Sequence, residues 1–308
     1  MSLWHRFPSI AYLAVFIGVI GHGSSEFAAV MTGVAGPELS SWRFLLGGIG
    51  LVALSLAIPG CRDLITPMRE MPVRLAVLSA IGVTIGYLFF HWALDFATVP
   101  QVATMVTAIP ISVGLANRYL NKEPFTLVKV LTGLAALFGV ALLITDGYLL
   151  DLAEGGNTFI GVLMAMACSV CVGVYTVAIK PVIGRYGALR ITSLTMFIGG
   201  IGLWLLVGIA WGEWVNPATL FDRPAGQWSA ILVLVLFNTL LTQILWIGGL
   251  AAVPDITRGS YLFFLKPVIA ALLTWYFLSQ PVTGFQLVAM AIICLAVFIE
   301  PVWTKLRG

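Results

Sequence analysis

Long apolar stretches alternate along the chain with short connections that hold glycine, proline and charged residues. A helix needs about 20 apolar residues to cross a bilayer. The stretches are continuous, whereas strands of a membrane β-barrel alternate between apolar and polar residues. The pattern predicts ten membrane-spanning helices, near residues 9–31, 39–58, 75–94, 97–117, 125–145, 157–179, 191–211, 228–250, 256–278 and 283–302. The first stretch lacks a small-residue cleavage site after a short core, so we expect a span and not a cleaved signal peptide.

The composition supports an all-α integral membrane protein. Of the 308 residues, 60% are apolar and only 9% are charged, and the mean hydropathy is +1.03. A soluble domain carries about 25% charged residues. We therefore exclude a soluble enzyme, a nucleic-acid binder and a disordered chain. We expect the outer surface of the protein to contact the lipid bilayer.

The distribution of basic residues predicts the orientation in the membrane. With a cytoplasmic N-terminus, 13 of the 16 lysines and arginines fall in cytoplasmic connections or termini. Arg223 falls in an outer connection, and Arg43 and Lys266 lie within spans. Because cytoplasmic loops are enriched in Lys and Arg, we expect both termini to be cytoplasmic.

The two halves of the chain repeat each other at an offset of 152 to 157 residues. The matched segments are 47–51 with 199–203, 97–100 with 251–254, Pro110 with Pro267, and 123–126 with 280–283. They predict two five-helix units, 1–148 and 149–308. An odd number of spans places the second unit in the opposite orientation. Inverted repeats of this kind are typical of secondary transporters, which bind substrate near the midplane.

Ionisable residues inside the spans are the first candidates for function, because charges at membrane depth are costly. His22 and Glu26 are four residues apart and share a helix face. They are interpreted either as a proton-linked or substrate-facing pair, or as a structural pair that lines a wet vestibule. Lys266 precedes Pro267 near the middle of its span, where it could bind a substrate anion or form an ion pair with Glu26.

Other polar and aromatic residues are weaker candidates for the binding site. They could contribute hydrogen bonds or aromatic surfaces to a substrate, or they could simply connect helices. They are Tyr87, His91, Thr107, Tyr175, Asn238, Tyr261 and Trp204. Arg43 is interpreted as a charge that anchors its helix at the interface. Cys168 and Cys171 are interpreted as packing residues, since redox C-x-x-C motifs lie at exposed helix N-termini. No metal site and no cofactor are expected.

Three segments resemble the EamA-like drug/metabolite transporter superfamily. They are Trp42-Arg43-Phe44 at the start of the second span, 120–126 between spans four and five, and 267–273 in span nine. The resemblance implies ten helices with inverted pseudo-symmetry and transport of small solutes by alternating access. Similar members export amino acids, nucleobases or cationic drugs from the bacterial inner membrane. Lys266 and Gln280 depart from the family pattern, which usually has Glu at both positions.

The sequence therefore predicts a secondary transporter and not an enzyme. A P-loop motif and a clear nucleophile or paired carboxylate motif are both missing from the sequence. We expect export of small metabolites such as amino acids, with proton coupling through Glu26 as a further hypothesis. The alternatives are an exporter of drugs or quaternary ammonium cations, and a facilitative uniporter or exchanger.

Overall fold

The computed structural model describes residues 7–34, 36–93, 95–97, 99–145, 158–278 and 282–307. Over these residues the chain folds into helices and turns, with no strand, and this confirms the all-α prediction. The first helices are α1 (Pro8–Met31), α2 (Gly36–Ala57), α3 (Pro72–Ala93), α4 (Val99–Thr107 and Ile109–Leu120) and α5 (Leu127–Thr145). They are followed by α6 (Thr158–Tyr186), α7 (Ala188–Trp211), α8 (Ala225–Ala252), α9 (256–278) and α10 (Gly284–Arg307). A short helix, Ile65–Glu70, lies between α2 and α3.

Eight helices in the described ranges are long and apolar enough to cross a membrane, namely α1, α2, α3 and α5 to α9. The chain is therefore a multi-pass membrane protein. Helix α4 is divided into two short pieces, and the apolar part of α10, Gly284–Ile299, is shorter than the others. The prediction of ten spans extends beyond these eight, and the proposed junction between residues 148 and 149 lies outside the described residues.

Four of the helices are interrupted within the bundle. Helix α3 contains a π turn at Ala80–Ile85, and α8 contains one at Leu236–Leu241. Helix α4 breaks at Ala108, just before Pro110, and α9 passes through the 3-10 turn Tyr261–Leu265 just before Pro267. Proline lacks an amide hydrogen and crowds the preceding turn, which explains the interruptions of α4 and α9. Such irregular backbone is tolerated at membrane depth where it is buried in protein or lines a cavity.

The closest packing joins the first part of the chain to the second. Helices α2 and α7 cross at glycines: a Cβ on Gly48 would lie 2.6 Å from the Cα of Phe197, and a Cβ on Gly200 would overlap the carbonyl of Phe44. Helix α1 packs along α8, α6 along α3 and α4, and α5 along α10. Small residues allow such close contact between membrane helices.

The outer surface of the bundle is apolar. Leu13, Phe138, Ile209 and Leu295 are examples of large exposed side chains on four different helices. In water such a surface would be an aggregation hazard, whereas lipid tails solvate it. Many polar side chains, such as those of Ser40, Thr195 and Gln243, are instead buried between the helices.

Candidate functional site

A cavity of about 40 Å³ lies in the centre of the bundle, where the two broken helices α4 and α9 meet α1, α2, α3, α6 and α8. This volume holds a few water molecules. The polar part of its lining is His22, Ser25, Arg43, Tyr87, Cys168 and Lys266. The apolar part is Phe90, Val106, Ile109, Val172, Trp246 and Phe263. We call this space the central cavity.

His22 of α1 lies in an aromatic part of the wall. The residue is 9% exposed, and its ring meets those of Trp246 and Phe263 edge-on, with ring centres 5.7 and 5.4 Å away. Among the described residues its Nε2 atom has no hydrogen-bond partner. A buried polar atom without a partner is costly, so His22 is well placed to bind a molecule that enters the cavity.

Glu26 lies one turn beyond His22 in α1, and its side chain is outside the described part of the structure. The predicted pairing of Glu26 with His22, or with Lys266, therefore stays a prediction.

Lys266 is the first residue of the second helical piece of α9, Lys266–Leu278, and only 6% of the residue is exposed. Its Nζ atom lies 6.0 Å from the ring centre of Phe263, within the range of a cation–π contact. The ammonium therefore lies in the cavity wall, at the point where the 3-10 turn of α9 passes into its second helical piece.

Arg43 does not anchor α2 at the interface, as its depth in the sequence had suggested. It is 5% exposed and lines the central cavity. Its Nε atom donates to Thr239 Oγ1 at 3.0 Å, and Nη2 donates to the carbonyl oxygen of Asn238 at 3.0 Å. Both acceptors belong to the π turn of α8, so the irregular turn holds the guanidinium in place.

Tyr87 of α3 also reaches the cavity. Its ring lies against Phe44, with centres 4.0 Å apart, and its hydroxyl oxygen accepts a hydrogen bond from Gln243 Nε2 at 2.8 Å. Gln243 belongs to α8. The hydroxyl is therefore oriented by a helix from the other part of the chain.

Three more of the predicted site residues are buried near the cavity but are engaged with neighbouring helices. His91 Nδ1 lies within hydrogen-bond distance of the Ser40 hydroxyl and of the Tyr87 carbonyl oxygen. The Tyr175 and Thr195 hydroxyls are 2.9 Å apart. Asn238 Nδ2 donates to the carbonyl oxygen of Gly21 at 2.7 Å. These contacts fit the structural interpretation that the sequence left open.

The remaining predicted residues lie apart from the cavity lining. The Thr107 hydroxyl bonds to its own helix at the Ala103 carbonyl. Tyr261 donates from its hydroxyl to the Lys129 carbonyl oxygen. Trp204 donates to the Val215 carbonyl oxygen at 2.8 Å, in a separate recess between α2, α7 and the connection that follows α7.

A second polar region closes one end of the bundle, which we call the Asp255 end. Lys129 at the start of α5 forms an ion pair of 2.6 Å with Asp255, in the connection between α8 and α9. Lys180 Nζ donates to the Val253 carbonyl oxygen at 2.9 Å. A cavity of about 280 Å³ lies beside them, also lined by Asn117 and other polar residues. Burial raises the pKa of Asp255, but hydrogen bonds from Lys129 and from the Arg258 amide outweigh it, so the pKa lies below its usual range.

Several cavity residues were not predicted as site residues. Arg43 could have been predicted from the sequence, because a charged residue inside a membrane span is a candidate for function. The sequence gives no comparable indication for the aromatic and thiol residues of the lining, because such side chains are equally common in packed helix interfaces. These residues are Phe90, Trp246, Phe263 and Cys168.

Comparisons with known proteins agree with this architecture. The sequence model of the EamA-like transporter family matches residues 9–145 and 159–299. An uncharacterised Bacillus subtilis transporter, YyaM, is 24% identical over 296 residues, which cover 93% of each chain. Protein PecM of Dickeya dadantii is 26% identical over 256 residues, 81% of this chain and 82% of PecM. A solved crystal structure with 21% identity covers 97% of this chain and 99% of its own, with a TM-score of 0.78, and shows the same fold.

Proposed function

The chain belongs to the EamA-like transporter family, and from this premise we propose that it is a secondary transporter that binds a small metabolite in the central cavity. The single observation that carries the proposal is the cavity itself. It is buried in the middle of the bundle, between two broken helices, and Arg43, Lys266 and His22 converge on it. Broken helices around a central site are the usual way in which secondary transporters bind substrate.

We further propose ten spans arranged as two inverted repeats, 1–148 and 149–308. The family model matches one segment in each unit. The π turns begin at Ala80 and Leu236, which are 156 residues apart and therefore within the offset of the repeat. Gly48 of α2 packs on the backbone of α7, and its counterpart Gly200 of α7 packs on that of α2. These reciprocal contacts support a two-fold relation.

Direction, location and coupling are also proposed. The positive charges predict cytoplasmic termini in a bacterial inner membrane, and the family resemblance favours export. Amino acids are the first substrate class to test, because a carboxylate would suit Lys266 and an ammonium would suit Glu26. A quaternary ammonium exporter is the alternative, which Glu26 and the aromatic wall would favour.

Counterflow in proteoliposomes tests the transporter proposal. The purified full-length chain, loaded inside with unlabelled substrate, should accumulate labelled substrate from outside in a saturable manner. An amino-acid mixture is the first probe and a quaternary ammonium the second. Flux that does not saturate and shows no counterflow would indicate a channel.

Proton coupling is tested through Glu26→Gln, which keeps the shape of the protonated carboxyl group. We expect the variant to retain exchange between two filled compartments and to lose net movement driven by a pH gradient. Glu26→Asp, which can still titrate, is the matched control. Wild-type flux that ignores an imposed pH gradient would contradict proton coupling without affecting the transporter proposal.

A further inference from the structure

At the Asp255 end of the bundle, the connection between α8 and α9 is held by side chains from two other helices. Lys129 of α5 forms the ion pair of 2.6 Å with Asp255. Lys180 of α6 donates to the carbonyl oxygen of Val253 at 2.9 Å. The short connection is therefore fastened to α5 and α6, which are not its neighbours along the chain.

The same connection leads directly into the wall of the central cavity. Helix α9 begins at Ile256, and Phe263 and Lys266 of this helix line the cavity. Between these points the Tyr261 hydroxyl donates to the Lys129 carbonyl oxygen. The first part of α9 is thus held against the start of α5 at two places, through the side chain and through the backbone of one lysine.

The central cavity is too small for a metabolite while these contacts are made. Its volume is about 40 Å³, whereas small-molecule sites usually have about 300–1,000 Å³. Substrate can therefore reach the site only when the surrounding helices move apart. Contacts that hold a wall of the cavity in place must resist that movement.

From these contacts we propose that the Lys129–Asp255 ion pair is a gate. It closes the path between the central cavity and the Asp255 end, and it separates when substrate passes. The inference rests on the proposed function. In the orientation proposed above, this end of the bundle faces the cytoplasm.

The environment of the pair suits a contact that forms and breaks repeatedly. The side chains of Lys129 and Asp255 are 10% and 28% exposed. A deeply buried pair would leave costly uncompensated charges when it separates, whereas a fully exposed pair would contribute little to closure. The cavity of about 280 Å³ beside the pair, which Asn121 and Glu123 also line, is large and polar enough to hold water around the separated charges.

The native thiol of Cys168 can report on opening, because it lines the central cavity and the residue is only 1% exposed. The other three cysteines are replaced by alanine, namely Cys61, Cys171 and Cys294. A charged maleimide is then added to the purified full-length protein, and the labelling rate of Cys168 is measured. Asp255→Asn and Lys129→Met should each raise this rate about tenfold, because the closed state loses a charge-assisted contact. The double variant should add little, since both changes remove the same contact.

Two controls separate a gate from general loosening of the fold. Arg185→Gln removes the ion pair with Glu70, whose side chains are 61% and 41% exposed and line neither cavity, so it should leave Cys168 labelling unchanged. Val207→Cys, in a chain without the native cysteines, places a thiol at a fully buried position of α7. This thiol should label slowly with and without Asp255→Asn. Equal acceleration at Val207→Cys and Cys168 would show that the pair only maintains the fold, and would contradict the gate.

Cross-linking tests the consequence for transport. Lys129→Cys and Asp255→Cys, in a chain without the native cysteines, are joined by a short bifunctional methanethiosulfonate, which a reductant removes. Counterflow should fall at least about tenfold when the link forms and should recover when it is reduced, because the end can no longer open. The same treatment of Glu70→Cys with Arg185→Cys should leave counterflow unchanged.

Two further results would overturn the inference. One is full counterflow through protein cross-linked between positions 129 and 255, and the other is a Cys168 labelling rate that does not respond to loss of the pair. Lack of counterflow in the native chain would instead contradict the transporter proposal. The labelling experiment needs no substrate, so it judges the gate separately.

Discussion

Helices α4 and α9 are both interrupted just before a proline, and they bring different chemistry to the central cavity. Helix α4 breaks before Pro110, α9 breaks before Pro267, and the residue ahead of each proline lines the cavity. In α4 that residue is Ile109, whereas in α9 it is Lys266. Of the two interrupted helices, α9 therefore supplies a charge to the cavity and α4 supplies an aliphatic surface.

A similar contrast separates the starts of α5 and α10. Thr126 and Thr283 each accept a hydrogen bond at the helix start, from the amides of Lys129 and Gln286. The Gln286 side chain bonds back to the Thr283 amide, as in a capping box. The Lys129 side chain instead reaches across to Asp255. Gln286 therefore caps its own helix, α10, whereas Lys129 joins the start of α5 to the connection between α8 and α9.

The largest effect is expected where the halves are most alike, at the glycine crossing of α2 and α7. Gly48→Leu and Gly200→Leu should each destabilise the fold by about 3 kcal/mol or more, because the new side chain must push apart two backbones. The measurement is folded yield together with the midpoint of denaturant unfolding in detergent. Gly184→Leu is the matched control, since a Cβ at Gly184 meets nothing within 4 Å. Tolerance of one crossing variant but not the other would contradict the proposed equivalence.

A large loss of transport is expected where the halves differ most. Lys266→Ile gives α9 the aliphatic residue that α4 has at the corresponding position. We expect folding to persist and counterflow to fall at least about tenfold, through loss of a charge-assisted contact to substrate. Ile109→Val, a small change in the other broken helix, should retain flux. If Lys266→Ile does not fold and Glu26→Ala restores folding, the lysine is a structural ion-pair partner, as breaking a buried pair is costly.

A smaller effect is expected at the Asp255 end. Asp255→Asn keeps the shape of the side chain and removes the charge that pairs with Lys129, so stability should fall by about 1–3 kcal/mol at neutral pH. The pKa of Asp255 is lowered in the folded protein. The contribution is therefore present above the ordinary aspartate pKa of about 3.9 and is lost as pH falls through the lower, folded value.

The pH series checks the sign of this effect. The melting temperatures of wild type and Asp255→Asn should differ by a constant amount between about pH 5 and 8, and should converge in more acidic solution. Gln286→Leu, at the corresponding position of the other half, should show no such convergence. A difference that grows as the pH falls would show that Asp255 is not held in its charged form by Lys129.

The smallest effect is expected at the opposite end, where Arg223 Nη2 lies 3.1 Å from Glu38 Oε1. Both side chains are partly exposed, and pairs of this kind contribute about 1 kcal/mol or less. Arg223→Gln should therefore shift the melting temperature only slightly, and the shift should shrink in high salt because exposed charges are screened. Stability loss as large as that of Asp255→Asn would contradict the distinction between the two ends.

Much of the fold could be predicted because a continuous apolar stretch of about 20 residues is long enough to indicate a membrane span. The π turns could not, because Ala80–Ile85 and Leu236–Leu241 have the same apolar character as the regular helices around them. Periodicity reports which side of a helix is apolar, and not whether a carbonyl bonds to the fourth or the fifth following amide.

Among the residues that line the central cavity, the charged and titratable ones were the easiest to predict from the sequence. Lys266 and His22 stand out in the sequence because ionisable groups are rare in spans. Arg43 also stands out as a charge, but the sequence places it at the interface, because position along a helix indicates depth in the membrane and not which residues are its neighbours. The Thr239 hydroxyl and the Asn238 carbonyl that bind it come from a helix almost 200 residues away. Such partners become visible only when the helices are assembled.

The π turn of α8 makes one peptide group a natural reporter. Asn238 presents its carbonyl oxygen to the Arg43 guanidinium instead of using it only within the helix. A carbonyl that accepts a bond from a cation vibrates at a lower frequency than its neighbours, so an isotope label at this peptide would give a separate band in the infrared spectrum. Any molecule that draws the guanidinium towards itself would weaken the hydrogen bond and shift that band. Infrared spectroscopy could therefore detect a ligand in the central cavity.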